Sequence, residues 1–163
     1  MVRTIFNRIE TASENIEFTV KISMCEIYNE RIKDLMDPTK DNLKIHEEKS
    51  KGVYIQDVTE IYCSEEGEIY ALMKQGNANR ATTATLMNDV SSRSHALFIL
   101  TISMDNRDDG SCKVGKLFLV DLAGSEKISK TGAQGTVLEE AKNINKSLTT
   151  LGKVIVALTD KKV

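Results

Sequence analysis

At 163 residues, with 40% hydrophobic and 28% charged residues, the chain has the length and composition of one globular domain with a real core, which excludes a disordered or low-complexity protein. No apolar run approaches the roughly 18 residues of a membrane span, and the amino terminus MVRTIFNRIETASE is amphipathic and charged, so the expectation is a cytoplasmic protein with no leader. Cys25, Cys63 and Cys112 are odd in number and widely spaced, which fits neither a disulfide framework nor a zinc site and predicts three free thiols. The net charge of −2 gives no global field for nucleic acid or membrane, but it is unevenly spread. From Lys127 onward seven lysines face three acidic residues, a balance of +4 that leaves −6 for the first 126 residues. That basic quarter is either a solvated helix face or a surface for an acidic partner.

Along the chain, Val2, Ile5, Phe6 and Ile9 at helical spacing predict a helix over 2–12. Phe18, Val20, Ile22 and Met24 alternate with polar residues, the period of a half-buried strand. NERIKDLM reads as a short helical turn that stops at Asp37-Pro38, where the chain's one proline acts as punctuation. NLKIHEE and GVYIQDVTEIYC read as short strands around the polar tip 48–51. Ser64, followed by Glu65 and Glu66, starts a helix whose apolar face carries Ile69, Leu72 and Met73. Residues 76–94 read as a polar loop. HALFILTISM and KLFLVD follow as strands that are apolar nearly throughout, a pattern predicting burial on both faces of a helix-covered sheet. After a glycine-rich loop over 122–135, Val137, Leu138, Ala141, Ile144, Leu148, Leu151, Ile155 and Leu158 mark one long amphipathic helix running to about 160. No repeat or second domain is visible.

KLFLVDLAGSE is the segment with chemical content. A strand-end Asp with a Gly three residues on is how many nucleotide hydrolases hold magnesium and let a backbone N–H sense a γ-phosphate; here these are Asp121 and Gly124. Close before it, SSRSH gathers three hydroxyls, a guanidinium and an imidazole. Such a loop can complete a magnesium shell or hold a water in line with a phosphate, or it can simply cap a strand. Arg93 can pair bidentately with a carboxylate, and Glu126, just past the Gly124 hinge, is the natural partner for a latch between the two loops. No phosphate-cradling loop of the form G-x-x-x-x-G-K-S/T occurs in the chain. GSCKVGK, over 110–116, satisfies only part of it: Leu117 stands where a hydroxyl is needed, and a strand rather than a helix follows, so it reads as a strand connection.

NDVSSRSH followed by LVDLAGSE resembles the paired switch loops of the kinesin motor domain. The agreement extends through SEKISKTGAQGTVLEEAKNINKSLTTLGKVIVAL and, upstream, through CEIYNERIKDLMDP and NLKIHEEKSKGVYI, with a flavour closest to conventional kinesin heavy chain. The resemblance covers essentially the whole chain. It implies an α/β fold, part of the kinesin-type P-loop NTPase fold, with a mixed central sheet flanked by helices and incomplete. Within it, switch I would occupy 88–95, switch II 121–135, and a long microtubule-facing helix about 136–160.

By this resemblance, Asn88, Ser91 and Ser92 would lie at the phosphates of ATP, with Ser92 giving its hydroxyl to magnesium and Asp121 holding the ion through water. Gly124 would sense the γ-phosphate, while Arg93 and Glu126 would order the attacking water and pass on its proton. Lys127, Lys130, Lys142 and Lys146 become candidate tubulin contacts, and the tip 48–51 another tubulin-facing loop. The function implied is that of a microtubule-based ATPase motor.

The family's phosphate loop should precede Val2, and its neck linker should follow Val163. A chain without them is expected to be inactive by itself unless a companion chain supplies the missing half. The competing reading is a non-hydrolysing microtubule-binding module derived from a kinesin. A small GTPase is disfavoured because its N-K-x-D motif fails at Leu148, and a coiled coil because Gly152 interrupts a short run of heptads.

Overall fold

A computed structural model describes residues 1–82, 93–124 and 136–160, with side chains left out of account at Thr82 and over 136–142. Helix α1 spans Val2–Glu10 and buries Val2 and Phe6. The centre of the structure is strand β1, Ile16–Tyr28, which is half-buried at its start and nearly enclosed from Val20 to Glu26. It pairs with β2, Arg31–Asp34, on one side and with β6, His95–Asn106, on the other; β5, Ile61–Tyr62, also pairs with it. Strand β7, Cys112–Asp121, pairs with β6, giving the order β2-β1-β6-β7. Strands β3, Ile45–Glu48, and β4, Gly52–Ile55, form a separate hairpin around the predicted polar tip. All these pairings are antiparallel, so parallel members of a mixed sheet do not occur among the described strands.

The segment NERIKDLM is not helical. Asn29 and Glu30 take positive φ of 49° and 62°, the conformation of a two-residue hairpin turn whose twist matches that of the strands it joins. Asn at the first of these positions tolerates the left-handed region, and the hairpin aligns Tyr28 with Arg31. The bend after β2 is set by buried Asp34: its Oδ1 accepts from the N–H groups of Met36 at 2.7 Å and Asp37 at 3.0 Å, and its Oδ2 from Thr59 N–H at 2.6 Å. A carboxylate collecting backbone donors offers them an alternative to a helical ladder.

Helix α2 spans Glu66–Thr82, so residues 76–82 of the predicted polar loop are helical instead. At its start Glu68 reaches back to accept from both the backbone N–H of Ser64 at 2.7 Å and its hydroxyl at 3.1 Å, which fixes the chain's entry into the helix. The helix crosses β1 closely at Gly76, where a Cβ would stand 2.3 Å from Met24 Sδ and 2.8 Å from Met36 Cε. Ile22, Leu35, Ile69 and Leu100, all at most 1% exposed, form the centre of the core, with Val20, Met24, Phe98, Val2 and Phe6 around them.

Strand β7 departs from the expectation of two buried faces. Leu117 and Leu119 pack on the core, while Val114, Phe118 and Val120, on the opposite face, are about half exposed. The strand is apolar on both faces, yet in the described sheet it lies at the edge next to β6 and is covered on one face. Residues 112–116 of GSCKVGK are part of β7 itself, so the segment is mostly strand rather than the expected connection, and it is no phosphate loop. Helix α3, Thr136–Thr159, has the predicted extent, and Leu151, Val154, Ile155 and Leu158 form an exposed apolar stripe along its second half. The three thiols are free, and burial, with Asp34 nearby, pushes that of Cys25 up to about 12. Among the described residues no helix is long and apolar enough to cross a membrane.

Candidate functional site

The site is built where β7 ends. Ladder pairing sets Asp121 opposite Ala96, one residue beyond the His95 that opens β6, so the strand-end carboxylate and the SSRSH segment meet by register alone. Behind them stands Arg80, a buried charged residue of α2. Its Nη1 donates to Asp121 Oδ2 at 2.6 Å, its Nη2 to the Ser94 carbonyl at 2.8 Å and its Nε to Ser94 Oγ at 3.2 Å. The Ser94 hydroxyl donates to Glu26 Oε1 at 2.6 Å, and that oxygen lies 3.6 Å from Arg80 Nε. One buried cation on α2 thus joins β1, the bend before β6 and the end of β7. With Glu26 only 2% exposed, the pair has the several hydrogen bonds a buried charge requires. The Asp121 side chain is by contrast 71% exposed, so it can meet water and ligand while Arg80 fixes its direction. A cleft of about 270 Å³, lined by Met24, Met73, Asn77, Arg80, Leu119 and Asp121 among others, opens beside it.

His95 carries the arrangement to α3. Its Nδ1 accepts from the Ala123 N–H at 3.0 Å, and its Nε2 lies 2.9 Å from Ser147 Oγ, which in turn is 2.8 Å from the Ile144 carbonyl. An amide can only donate, so Nδ1 is unprotonated, Nε2 bears the hydrogen and donates to Ser147, and the hydroxyl donates to Ile144. Burial, then the nearby Arg80 charge, holds the imidazole below its ordinary pKa of 6.5, in keeping with this neutral form.

Of the residues expected to form the site, Asp121 and Gly124 lie together at the end of β7, and Arg93 is half-buried in the turn before β6. Asn88, Ser91, Ser92, Glu126, Lys127 and Lys130 lie outside the described residues, as does the Lys142 side chain; Lys146 is exposed on α3. The expected Arg93–Glu126 latch therefore lies partly outside the described residues. Arg80, Glu26 and His95 are the residues sequence reasoning missed. The pattern for the first two was present: Glu26 continues the inward alternation of Val20, Ile22 and Met24, and Arg80 continues the helical stripe of Ile69, Met73 and Gly76. A charge on an otherwise buried face calls for a buried partner.

Among the described residues no group of three or more His, Cys, Asp or Glu side chains is placed to hold a metal ion. Magnesium does not need such a cage, since it is commonly held by one or two carboxylates together with waters and substrate phosphates. An exposed carboxylate at a strand end, oriented from behind, fits that mode.

An apolar strand ending in an oriented carboxylate and turning through glycine, on a sheet backed by a helix, is an arrangement that α/β nucleotide-binding proteins share. Among these, the kinesin motor domain model matches residues 1–163. The chain belongs to the kinesin motor domain family. It is 60% identical over 162 residues to kinesin-related protein 3 of Dictyostelium discoideum and 56% identical over 162 residues to the kinesin heavy chain of Neurospora crassa, covering 99% of itself but 14% and 18% of those proteins. A solved fast kinesin superposes with a TM-score of 0.87 at 56% identity, covering 99% of this chain and 46% of that one. A kinesin dimer with AMP-PNP, in complex with a microtubule, superposes with a TM-score of 0.78 at 34% identity, with 96% and 46% covered. The chain therefore spans less than half of the motor structures it resembles and under a fifth of these full-length relatives.

Proposed function

We propose that this chain is the nucleotide-sensing and track-binding part of a microtubule-dependent ATPase motor working on the cytoskeleton in the cytoplasm. The observation that carries the proposal is the position of Asp121: an exposed carboxylate at the end of β7, held by Arg80, from which the chain runs through Gly124 towards α3. Switch I over 88–95 and switch II over 121–135 would face the nucleotide, and the helix over about 136–160 the microtubule.

In this reading Asn88, Ser91 and Ser92 bind the phosphates of ATP, and Ser92 with Asp121 would hold Mg2+, the latter through water. The ion, when bound, would supply neutralisation of phosphate charge. Gly124 N–H contacts the γ-phosphate, and Arg93 paired with Glu126 orders the attacking water and takes its proton. Positioning and charge neutralisation are most of what phosphoryl transfer requires. Arg80 keeps Asp121 directed at the nucleotide rather than into bulk water. Lys127, Lys130, Lys142 and Lys146 meet the acidic tubulin surface.

A second reading is favoured by the missing G-x-x-x-x-G-K-S/T loop in all 163 residues. The chain by itself would then be a non-hydrolysing microtubule-binding module, or half of a motor completed by a companion chain. Two measurements separate these readings. Magnesium-dependent ATP binding by the isolated chain is expected to be undetectable at micromolar concentration; tight binding would show that the missing loop is dispensable. Cosedimentation with microtubules is expected to weaken with salt and on changing Lys130, Lys142 or Lys146 to Ala. Binding indifferent to all of these would remove the track surface from the proposal.

A further inference from the structure

The backbone beyond Asp121 is joined to α3 by two routes. One is covalent and passes through residues 125–135. The other crosses space through a single imidazole: the Ala123 N–H donates to His95 Nδ1, His95 Nε2 donates to Ser147 Oγ, and Ser147 donates to the Ile144 carbonyl within α3. Every hydrogen and lone pair along this path has a defined direction, so the ring cannot turn over or exchange donor for acceptor without breaking a bond. Ala123 is 5% exposed, and an amide buried there without an acceptor would be costly. Ser147 lies one turn beyond Asn143, whose Nδ2 donates to Asn29 Oδ1 at 2.5 Å in the β1–β2 turn. This first half of α3 is thus held against the sheet, while from Leu151 onward the helix is exposed.

We infer that His95 is a positioning residue that ties the Leu122–Gly124 backbone to helix α3, so that a shift of that backbone is passed to the helix in one hydrogen-bonded step. The inference deepens the proposed function and rests on its reading of Gly124 as phosphate sensor and of α3 as track helix. The link itself stands on the geometry alone. Imidazole suits the place because its two nitrogens present an acceptor and a donor on opposite edges of one rigid ring. Asn offers an acceptor near Nδ1 but no reach to Ser147, and Gln offers a donor near Nε2 but no acceptor for Ala123.

The test uses the full-length protein. Amide exchange at Ala123 is expected to quicken roughly tenfold in His95→Gln, the size of one hydrogen bond's net contribution. It should stay near the wild-type rate in His95→Asn, which retains the acceptor. Equal rates in wild type and His95→Gln would overturn the link. ATP turnover with and without microtubules supplies the second arm. Ser147→Ala is expected to lower the microtubule-stimulated rate about three- to tenfold with the basal rate unchanged, and Ser147→Thr, which keeps the hydroxyl, to restore it. Full stimulation in Ser147→Ala would overturn the transmission. A wild-type protein with no microtubule response, but with Ala123 exchange behaving as expected, would sink the functional reading and leave the His95 link standing.

Discussion

The two faces of the same sheet differ sharply in how they are completed. On the face covered by α1 and α2, Ile22, Leu100 and Ile69 are sealed at 1% exposure or less. On the other, Phe118 and Val120 of β7 stand about half open, and the stripe of α3 that could cover apolar surface is itself exposed, with Leu158 at 82%. The strands on the two faces carry similar residues, so the difference lies in what packs on them rather than in their hydrophobicity. A sequence records that a face wants covering; it does not record what covers it.

Arg80 belongs to both regions, since it is sealed beneath α2 yet its guanidinium reaches the open carboxylate of Asp121. Replacing it by Met would leave Glu26 buried without its cation, which is expected to cost about 3–5 kcal/mol of stability. The matching change Arg107→Met removes a pair whose side chains are 66% and 60% exposed, and it should cost under about 1 kcal/mol. Urea unfolding of the two variants decides whether Arg80 is a structural keystone or a surface charge. Equal effects would contradict its burial.

Leu100→Ala and Phe118→Ala probe the faces themselves. Leu100, at 1% exposure, should cost about 2–5 kcal/mol through lost burial and a residual cavity. Phe118, at 49%, buries about half as much and should cost on the order of 1 kcal/mol. A larger loss at Phe118 would mean that its face is covered in solution, which the same unfolding curves would show. Gly76→Ala is expected to fall between these limits. The added methyl must displace the ends of Met24 and Met36, a cost of about 1–3 kcal/mol, offset by up to about 1 kcal/mol of helix propensity. A net gain in melting temperature would show that the two methionines yield freely.

The positions of α1 and α3 follow from helical periodicity in the sequence, the start of α2 from Ser64 and the glutamates after it, and the β3–β4 hairpin, whose strands bury no regular face, from two short strand-forming runs around a polar tip. Two local readings failed for identifiable reasons. NERIKDLM has helix-forming residues, but Asn29 and Glu30 adopt left-handed turn conformations and Asp34 draws off the backbone donors of the bend. The stretch after Gly76 looked like loop because its exposed residues are small and polar, whereas α2 continues through Arg80 on its buried side. That Asp121 closes a strand was legible because the apolar run KLFLV stops at it. His95 was not, because its role depends on Ala123 and Ser147, brought together only by the fold.

The smallest expected effect concerns that residue and the open region. Burial and then Arg80 from α2 lower the His95 pKa, while Asp121 from β7 and Glu30 from the β1–β2 turn oppose them. A base whose folded pKa lies below its unfolded value binds fewer protons folded than unfolded, so its contribution is complete above about 6.5 and is lost as pH falls from there towards the folded pKa. The stability advantage of wild type over His95→Gln should therefore be constant between about pH 7 and 8 and shrink towards pH 5, as a second proton forces Nδ1 to release Ala123. Unfolding free energies of both proteins across that range give the measurement. A difference independent of pH would mean that the folded protein accepts the proton as readily as the unfolded chain, and that the imidazole is not held in its neutral form between β7 and α3.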